Sequence, residues 1–161
     1  MINVAFVCLG NICRSPMAEL IFKNMIKERG LSSSFCVTSF GTSDCEQGNP
    51  IYLPAKKTLI MHGIAGNHTA KQISLSDIKN NDFILCMDSG NYRDLVRLAG
   101  ESNSAKVFKL CSFTSCPRDV ADPWYTRDFE RAFSDITDGC AAFLEFVLSD
   151  RADMINYDKR H

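Results

Sequence analysis

The run Asn3-Val4-Ala5-Phe6-Val7-Cys8-Leu9-Gly10-Asn11-Ile12-Cys13-Arg14-Ser15-Pro16 decides how the chain is read. Residues 2–8 are apolar at nearly every position, as in a strand covered on both faces. Pro16 suits the first turn of a helix, where its missing N–H costs nothing. A strand, a short loop and a helix start form an anion site, because loop N–H groups and the positive end of the helix dipole converge on the loop. Cys8 and Arg14 stand at its two ends. Curled into a cradle, the loop brings both onto one oxyanion.

Alternation continues outward from this run. Ala18, Ile21, Phe22 and Met25 recur at helical spacing, and Gly30 ends the pattern. Residues 35–40 read as a second strand and Gly41 to Pro50 as a loop rich in turn residues. A helix is expected from Pro54 to Met61, and Ser74-x-x-Asp77 reads as the opening of a short one. Residues 82–87 read as a third strand. Ser89 to Ala99 reads as a helix with an apolar side of Tyr92, Leu95, Val96 and Leu98. Lys106 to Leu110 gives a fourth strand, and residues 111–124 a long loop containing Asp122-Pro123. Phe129, Phe133, Ile136, Cys140, Phe143, Leu144 and Val147 then mark one face of a final helix. The order β-α-β-α-β-α-β-α predicts a three-layer α/β fold, a parallel sheet with helices on both faces. Ligands bind such sheets beyond the carboxyl ends of the strands, where Cys8 lies.

The 161 residues suit a single domain, with a polar stretch from Asp150 to His161 expected to fray. A net charge of −1 offers no basic patch for nucleic acid, and no apolar run is long enough to span a bilayer. The N-terminus has neither the basic nor the long apolar region of a signal peptide, so a cytoplasmic location is expected. Eight cysteines could mean disulfides or zinc. The first needs a secretory context, and the Cys8-x4-Cys13 and Cys111-x4-Cys116 spacings are loose for the second. Most are read as reduced, buried, small hydrophobes. No metal and no cofactor is expected.

The chemistry follows from the loop. A cysteine near a helix N-terminus and a cation ionises more readily, which suits Cys8 as nucleophile. Ser15 adds a hydroxyl that can donate to the thiolate. The Arg14 fork can bond two oxygens of a tetrahedral anion. Asn11 tolerates the left-handed backbone that a tight cradle demands. Asp122, held extended by Pro123, is the candidate proton donor to a leaving oxygen. Trp124 and Tyr125 can wall a substrate ring. The plainer alternatives are a turn at Asp122-Pro123, core aromatics at 124 and 125, and a structural His68.

The run from Val7 to Pro16 resembles the phosphate loop of the low-molecular-weight protein tyrosine phosphatases. Residues Ile84-Leu85-Cys86-Met87-Asp88, Asn91-x-Arg93-Asp94-Leu95 and Asp122-Pro123-Trp124-Tyr125 resemble that family's central strand, following helix and general-acid loop. The resemblance implies a four-stranded sheet in the flavodoxin-like order 2-1-3-4. It implies hydrolysis of phosphotyrosine in proteins or peptides through a phosphocysteine, without metal and with inorganic phosphate as product; a monomer is expected. Cys8, Arg14 and Asp122 take the catalytic positions. Leu9, Gly10, Asn11, Ile12, Cys13, Arg14 and Ser15 take the phosphate-binding ones. Asn11, Ser15 and His68 match loop-supporting residues, and Leu9, Ile12, Cys45, Glu46, Trp124 and Tyr125 the pocket mouth. Cys13 matches a cysteine that pairs with the nucleophile under oxidation. Phe40 and Cys45 depart from the family pattern, and Trp124 replaces a common tyrosine.

Three rival readings remain. Thiol-dependent arsenate reductases share the fold but carry relay cysteines after the third strand, and the helix from Ser89 to Ala99 has none. Arginine phosphatases carry threonine at the position of Ile12, and isoleucine better suits a flat phenyl ring. The third is a phosphate-binding or redox-sensing module without turnover; a binder would need neither the thiol nor the acid.

Overall fold

The structure is a computed structural model that describes residues 1–151; the expected fraying of the tail lies almost wholly outside them. Strand β1 (Ile2–Cys8) leads through the loop into helix α1 (Arg14–Glu28), then β2 (Phe35–Gly41), α2 (Leu53–Met61), α3 (Leu75–Asn80), β3 (Phe83–Cys86), α4 (Ser89–Ala99), β4 (Val107–Lys109), α5 (Pro123–Thr126) and α6 (Phe129–Asp150). The four strands form one parallel sheet in the order β2-β1-β3-β4. Strand order reverses between β1 and β3, so the crevice beyond the end of β1 is the expected ligand position.

Period-two alternation sorts the strand residues into two cores. Val4, Phe6 and Cys8 of β1, Phe35 and Val37 of β2, and Phe83 and Leu85 of β3 face the α1–α6 layer with Phe22, Ile136 and Phe143. Ala5, Val7, Phe40, Ile84, Cys86 and Val107 face the other layer with Ile78 and Leu95. Phe40 therefore belongs to the core on the far side of the sheet. Its neighbour Ser39 points to the same side as Cys8, which places a small polar residue beside the loop.

Several local expectations shift. Helix α1 begins at Arg14, two residues before Pro16. Proline is tolerated there because the first four N–H groups of a helix have no partner within it. The segment 111–124 is not one long loop, because Leu110–Phe113 forms a 3₁₀ turn and Pro123 opens α5. In α4 the buried line is Asn91, Leu95 and Ala99, while Tyr92 and Leu98 are exposed. Cys8, Cys13, Cys86, Cys111 and Cys140 are buried, but Cys36, Cys45 and Cys116 are exposed. Ser74 and Asp77 form the expected reciprocal cap of α3. No helix among the described residues is long and apolar enough to cross a membrane.

Candidate active site

The loop between β1 and α1 is shaped from beneath. Asn11 has φ 58°, the left-handed conformation its type permits at low cost. It is wholly buried, and every polar atom of its side chain is used. Its amide nitrogen donates to Ser15 Oγ at 2.7 Å and to Ser39 Oγ at 3.1 Å. Its amide oxygen accepts from the Lys71 N–H at 3.0 Å. His68 Nε2 lies 2.9 Å from the Asn11 carbonyl and 3.0 Å from its amide oxygen. Both partners are acceptors, so Nε2 carries the proton. Ser39 passes the network on to Glu19 Oε1 at 2.7 Å. Burial lowers the pKa of His68, against the raising influence of Glu19 and of the Asn11 carbonyl. Above the loop, Gly41 is required by close approach, since a Cβ there would stand 2.8 Å from the Leu9 carbonyl oxygen.

Cys8 ends β1 with its sulfur 3.0 Å from Ser15 Oγ. Ser15 already accepts from Asn11, so its own proton is free to point at the sulfur or at the Phe40 carbonyl, 3.3 Å away. A thiolate accepts that proton in preference, because charge strengthens the bond. Among the described residues, the N–H groups of Leu9 to Cys13 donate no hydrogen bond to the protein. Unpartnered amides in a loop at a helix N-terminus are the donors an anion needs. Cys13 stands at the far end of the same loop. Burial, then the neighbouring Cys8, pushes its thiol up to about 12. It stays protonated at neutral pH.

Arg14 is buried and fixed at one corner. Its Nη1 donates to Asp88 Oδ2 at 2.8 Å and to the Val120 carbonyl at 2.7 Å, while Nη2 lies 3.5 Å from Asp122 Oδ2. Both Nη1 protons are thus spent on anchoring, which leaves the Nε–Nη2 edge as the fork for two oxygens. Burial works against the charge, but Cys8, Asp88 and Asp122 outweigh it and hold the guanidinium above its ordinary pKa. Asp88 was not singled out from the sequence. It is the N-cap of α4, with Oδ1 accepting from the Asn91 N–H at 2.8 Å and Oδ2 holding Arg14. The capping spacing from Asp88 to Asn91 was a usable signal for a fixed carboxylate at the end of β3.

Asp122 caps α5. Its Oδ1 accepts from the Trp124 N–H at 3.0 Å, so Oδ2 faces Arg14 without other engagement. Its backbone is extended (φ −74°, ψ 112°), as the following proline dictates. The segment before it is tied to β3, because the Val120 N–H donates to the Met87 carbonyl at 2.8 Å.

These parts enclose a cavity of ≈ 210 Å³. The loop contributes Cys8, Leu9, Gly10, Ile12, Cys13 and Arg14; other segments contribute Cys45, Glu46, Asp122, Trp124 and Tyr125. All six residues expected at the mouth line it. Asn11, Ser15 and His68 do not, and sit behind the loop. Trp124 and Tyr125 are exposed, which removes the reading that they are core aromatics. Tyr52 went unread in the sequence. Its N–H donates to the Ile12 carbonyl at 2.8 Å and its ring packs on Trp124 with centroids 5.0 Å apart. Among the described residues no cluster of three or more His, Cys, Asp or Glu side chains is arranged to hold a metal ion.

A parallel α/β sheet that presents a thiol, an anchored guanidinium and unpartnered amides at its switch point defines a thiol-bearing anion site. Comparison with known proteins gives the family. The model for "Low molecular weight phosphotyrosine protein phosphatase" matches residues 3–153. The human low molecular weight phosphotyrosine protein phosphatase is 39% identical over 148 residues, covering 89% of this chain and 94% of its own. The crystal structure of YfkJ from Bacillus subtilis superposes with a TM-score of 0.89 at 36% identity, covering 93% of this chain and 96% of that one. The Drosophila arginine phosphatase structure gives a TM-score of 0.83 at 31% identity, covering 89% and 96%. The chain belongs to the low molecular weight phosphotyrosine protein phosphatase family, a family of hydrolases.

Proposed function

We propose that the protein hydrolyses phosphotyrosine in proteins or peptides, and small aryl phosphates, through a phosphocysteine and without metal. The observation that carries this reading is the Cys8 sulfur, 3.0 Å from a hydroxyl free to donate to it, beside a run of unpartnered amides. Cys8 attacks phosphorus, and the bond from phosphorus to the phenolic oxygen breaks. Asp122 passes a proton from Oδ2 to that oxygen. The resulting carboxylate then takes a proton from water as the water attacks phosphorus, and the S–P bond breaks to release phosphate. The Nε–Nη2 edge of Arg14 and the loop amides hold the equatorial oxygens as charge develops. Trp124, Tyr125 and Ile12 supply apolar surface that suits a flat ring.

Cys13 supports a protective role under oxidation. Hydrogen peroxide and one proton from solvent convert the Cys8 thiolate to a sulfenic acid with release of water. Condensation with the Cys13 thiol then forms the disulfide and a second water. Mass spectrometry after mild peroxide is expected to find the Cys8–Cys13 link; sulfinic or sulfonic acid alone at Cys8 would refute it.

The deciding experiment compares phosphotyrosine, phosphoserine and phosphoarginine peptides in chelator, with and without reductant. Turnover of phosphotyrosine that needs reduced thiol supports the proposal. Turnover of phosphoarginine alone keeps the mechanism and changes the substrate, an outcome to which the similarity with an arginine phosphatase gives point. Phosphate binding with no turnover favours a binding or sensing module.

A further inference from the structure

Arg127 sits one residue past α5, beside the pocket wall, and the proposed chemistry makes no use of it. Its backbone is left-handed (φ 62°), a conformation that a glycine or asparagine takes more cheaply. The side chain is nonetheless well placed. Its guanidinium lies 5.6 Å from the Trp124 ring centroid and 5.8 Å from that of Tyr52, and Nη1 donates to the Tyr52 hydroxyl at 2.9 Å. These are its side-chain partners among the described residues, and none is a carboxylate. The nearby acids are engaged elsewhere. Asp122 faces Arg14, Asp128 caps α6 through the Arg131 N–H, and Glu130 pairs with His62. Arg127 is thus an exposed, preorganised cation without a counter-charge among the described residues. Its charge also reaches the cradle, since it is among the groups that oppose burial at Cys13.

We propose that Arg127 is a specificity-determining residue that selects phosphotyrosine flanked by a carboxylate side chain. The selection rests on the phosphotyrosine reading above. A ring bound against Trp124 brings the neighbouring peptide residues near the guanidinium that lies over that same indole. Arginine held over two rings and bonded to the Tyr52 hydroxyl has less rotamer freedom to lose, so pairing with a carboxylate costs less further order. Glu46, the acid lining the pocket from the other loop, is itself bonded to Asn49 and disfavours a carboxylate placed near it. The preference therefore has a direction, toward the Trp124 wall.

The test measures kcat/KM on three phosphotyrosine peptides that differ only in flanking Glu, Ala or Lys, at low and high ionic strength. Glu is expected to exceed Ala by about fivefold at low salt, the size of one exposed ion pair, and the gap should close at high salt. Arg127→Gln should erase the preference, Arg127→Glu should reverse it toward Lys, and Arg127→Lys should keep part of it. Trp124 is the only tryptophan in the chain, so its emission can report peptide binding to a Cys8→Ser protein without turnover. The same ranking of affinities is expected there. Equal rates on all three peptides, or an equal loss on all three in every variant, would overturn the proposal and leave Arg127 a brace for the wall. No turnover of any phosphotyrosine peptide would instead overturn the function proposed above.

Discussion

The two segments that meet at the pocket are built differently. The loop from Leu9 to Cys13 is locked from behind by the Asn11 side chain with Ser15, Ser39 and His68, a network in which both polar atoms of the buried Asn11 amide are engaged. The segment from Val120 to Arg127 is tied through Val120 and Asp122, and its aromatic side chains stand in solvent. The contrast separates two demands. Stabilising a transition state needs donors that do not move, which only a fully satisfied interior supplies. Accepting varied peptides needs an exposed surface that can change without unfolding the protein.

Substitutions can sharpen or break that contrast. Cys8→Ser is expected to lower phosphotyrosine turnover roughly a thousandfold or more while leaving the melting temperature nearly unchanged, because the attacking atom is lost and the packing is not. Substantial residual turnover would remove Cys8 from the role of nucleophile. Asp122→Asn should cost about 10²- to 10⁴-fold on phenyl phosphate but far less on a nitrophenyl ester, whose leaving group needs no proton. Equal losses on both would make Asp122 a binding group.

The next pair tests stability directly. Asn11→Ala should destabilise by about 3 kcal/mol, since it strands buried partners and puts alanine in a left-handed conformation. Trp124→Ala should change stability by no more than ~0.5 kcal/mol and act mainly through KM. Urea unfolding of both proteins decides it, and equal losses would erase the distinction between the segments.

The smallest effect belongs to His68. Burial lowers its pKa in the folded state below the ordinary 6.5, with Glu19 opposing. Between the two values the unfolded chain binds more protons, so this contribution to stability is present above pH 6.5 and is lost as pH falls below it. His68→Gln should flatten the fall in melting temperature between pH 7 and the acid side of that window. An unchanged slope would mean that another group titrates there.

Much of this was legible in the sequence because it is local. An apolar run before Cys8, a left-handed Asn11 and an extended Asp122 ahead of Pro123 each follow from residue type and immediate neighbours. The strand alternation that gives a parallel sheet is local too. The misread stretches failed for identifiable reasons. Tyr92 and Leu98 look apolar in a helix whose buried line is Asn91, Leu95 and Ala99, and hydrophobicity alone cannot show that a buried asparagine serves as a cap. The helical turn from Pro123 to Thr126 is too short for periodicity to register.

By itself, then, the sequence determined the strand–loop–helix that makes an anion site, the residues proposed to act there, and the fold class that places them at the end of a sheet. Tertiary structure alone decided which edge of Arg14 remains for an anion, since Asp88 and Val120 reach it from 74 and 106 residues away. It also decided that Arg127 lies over the Trp124 and Tyr52 rings with no carboxylate partner among the described residues. Such pairings depend on where distant segments cross once both faces of the sheet are covered. Neither spacing nor composition encodes that.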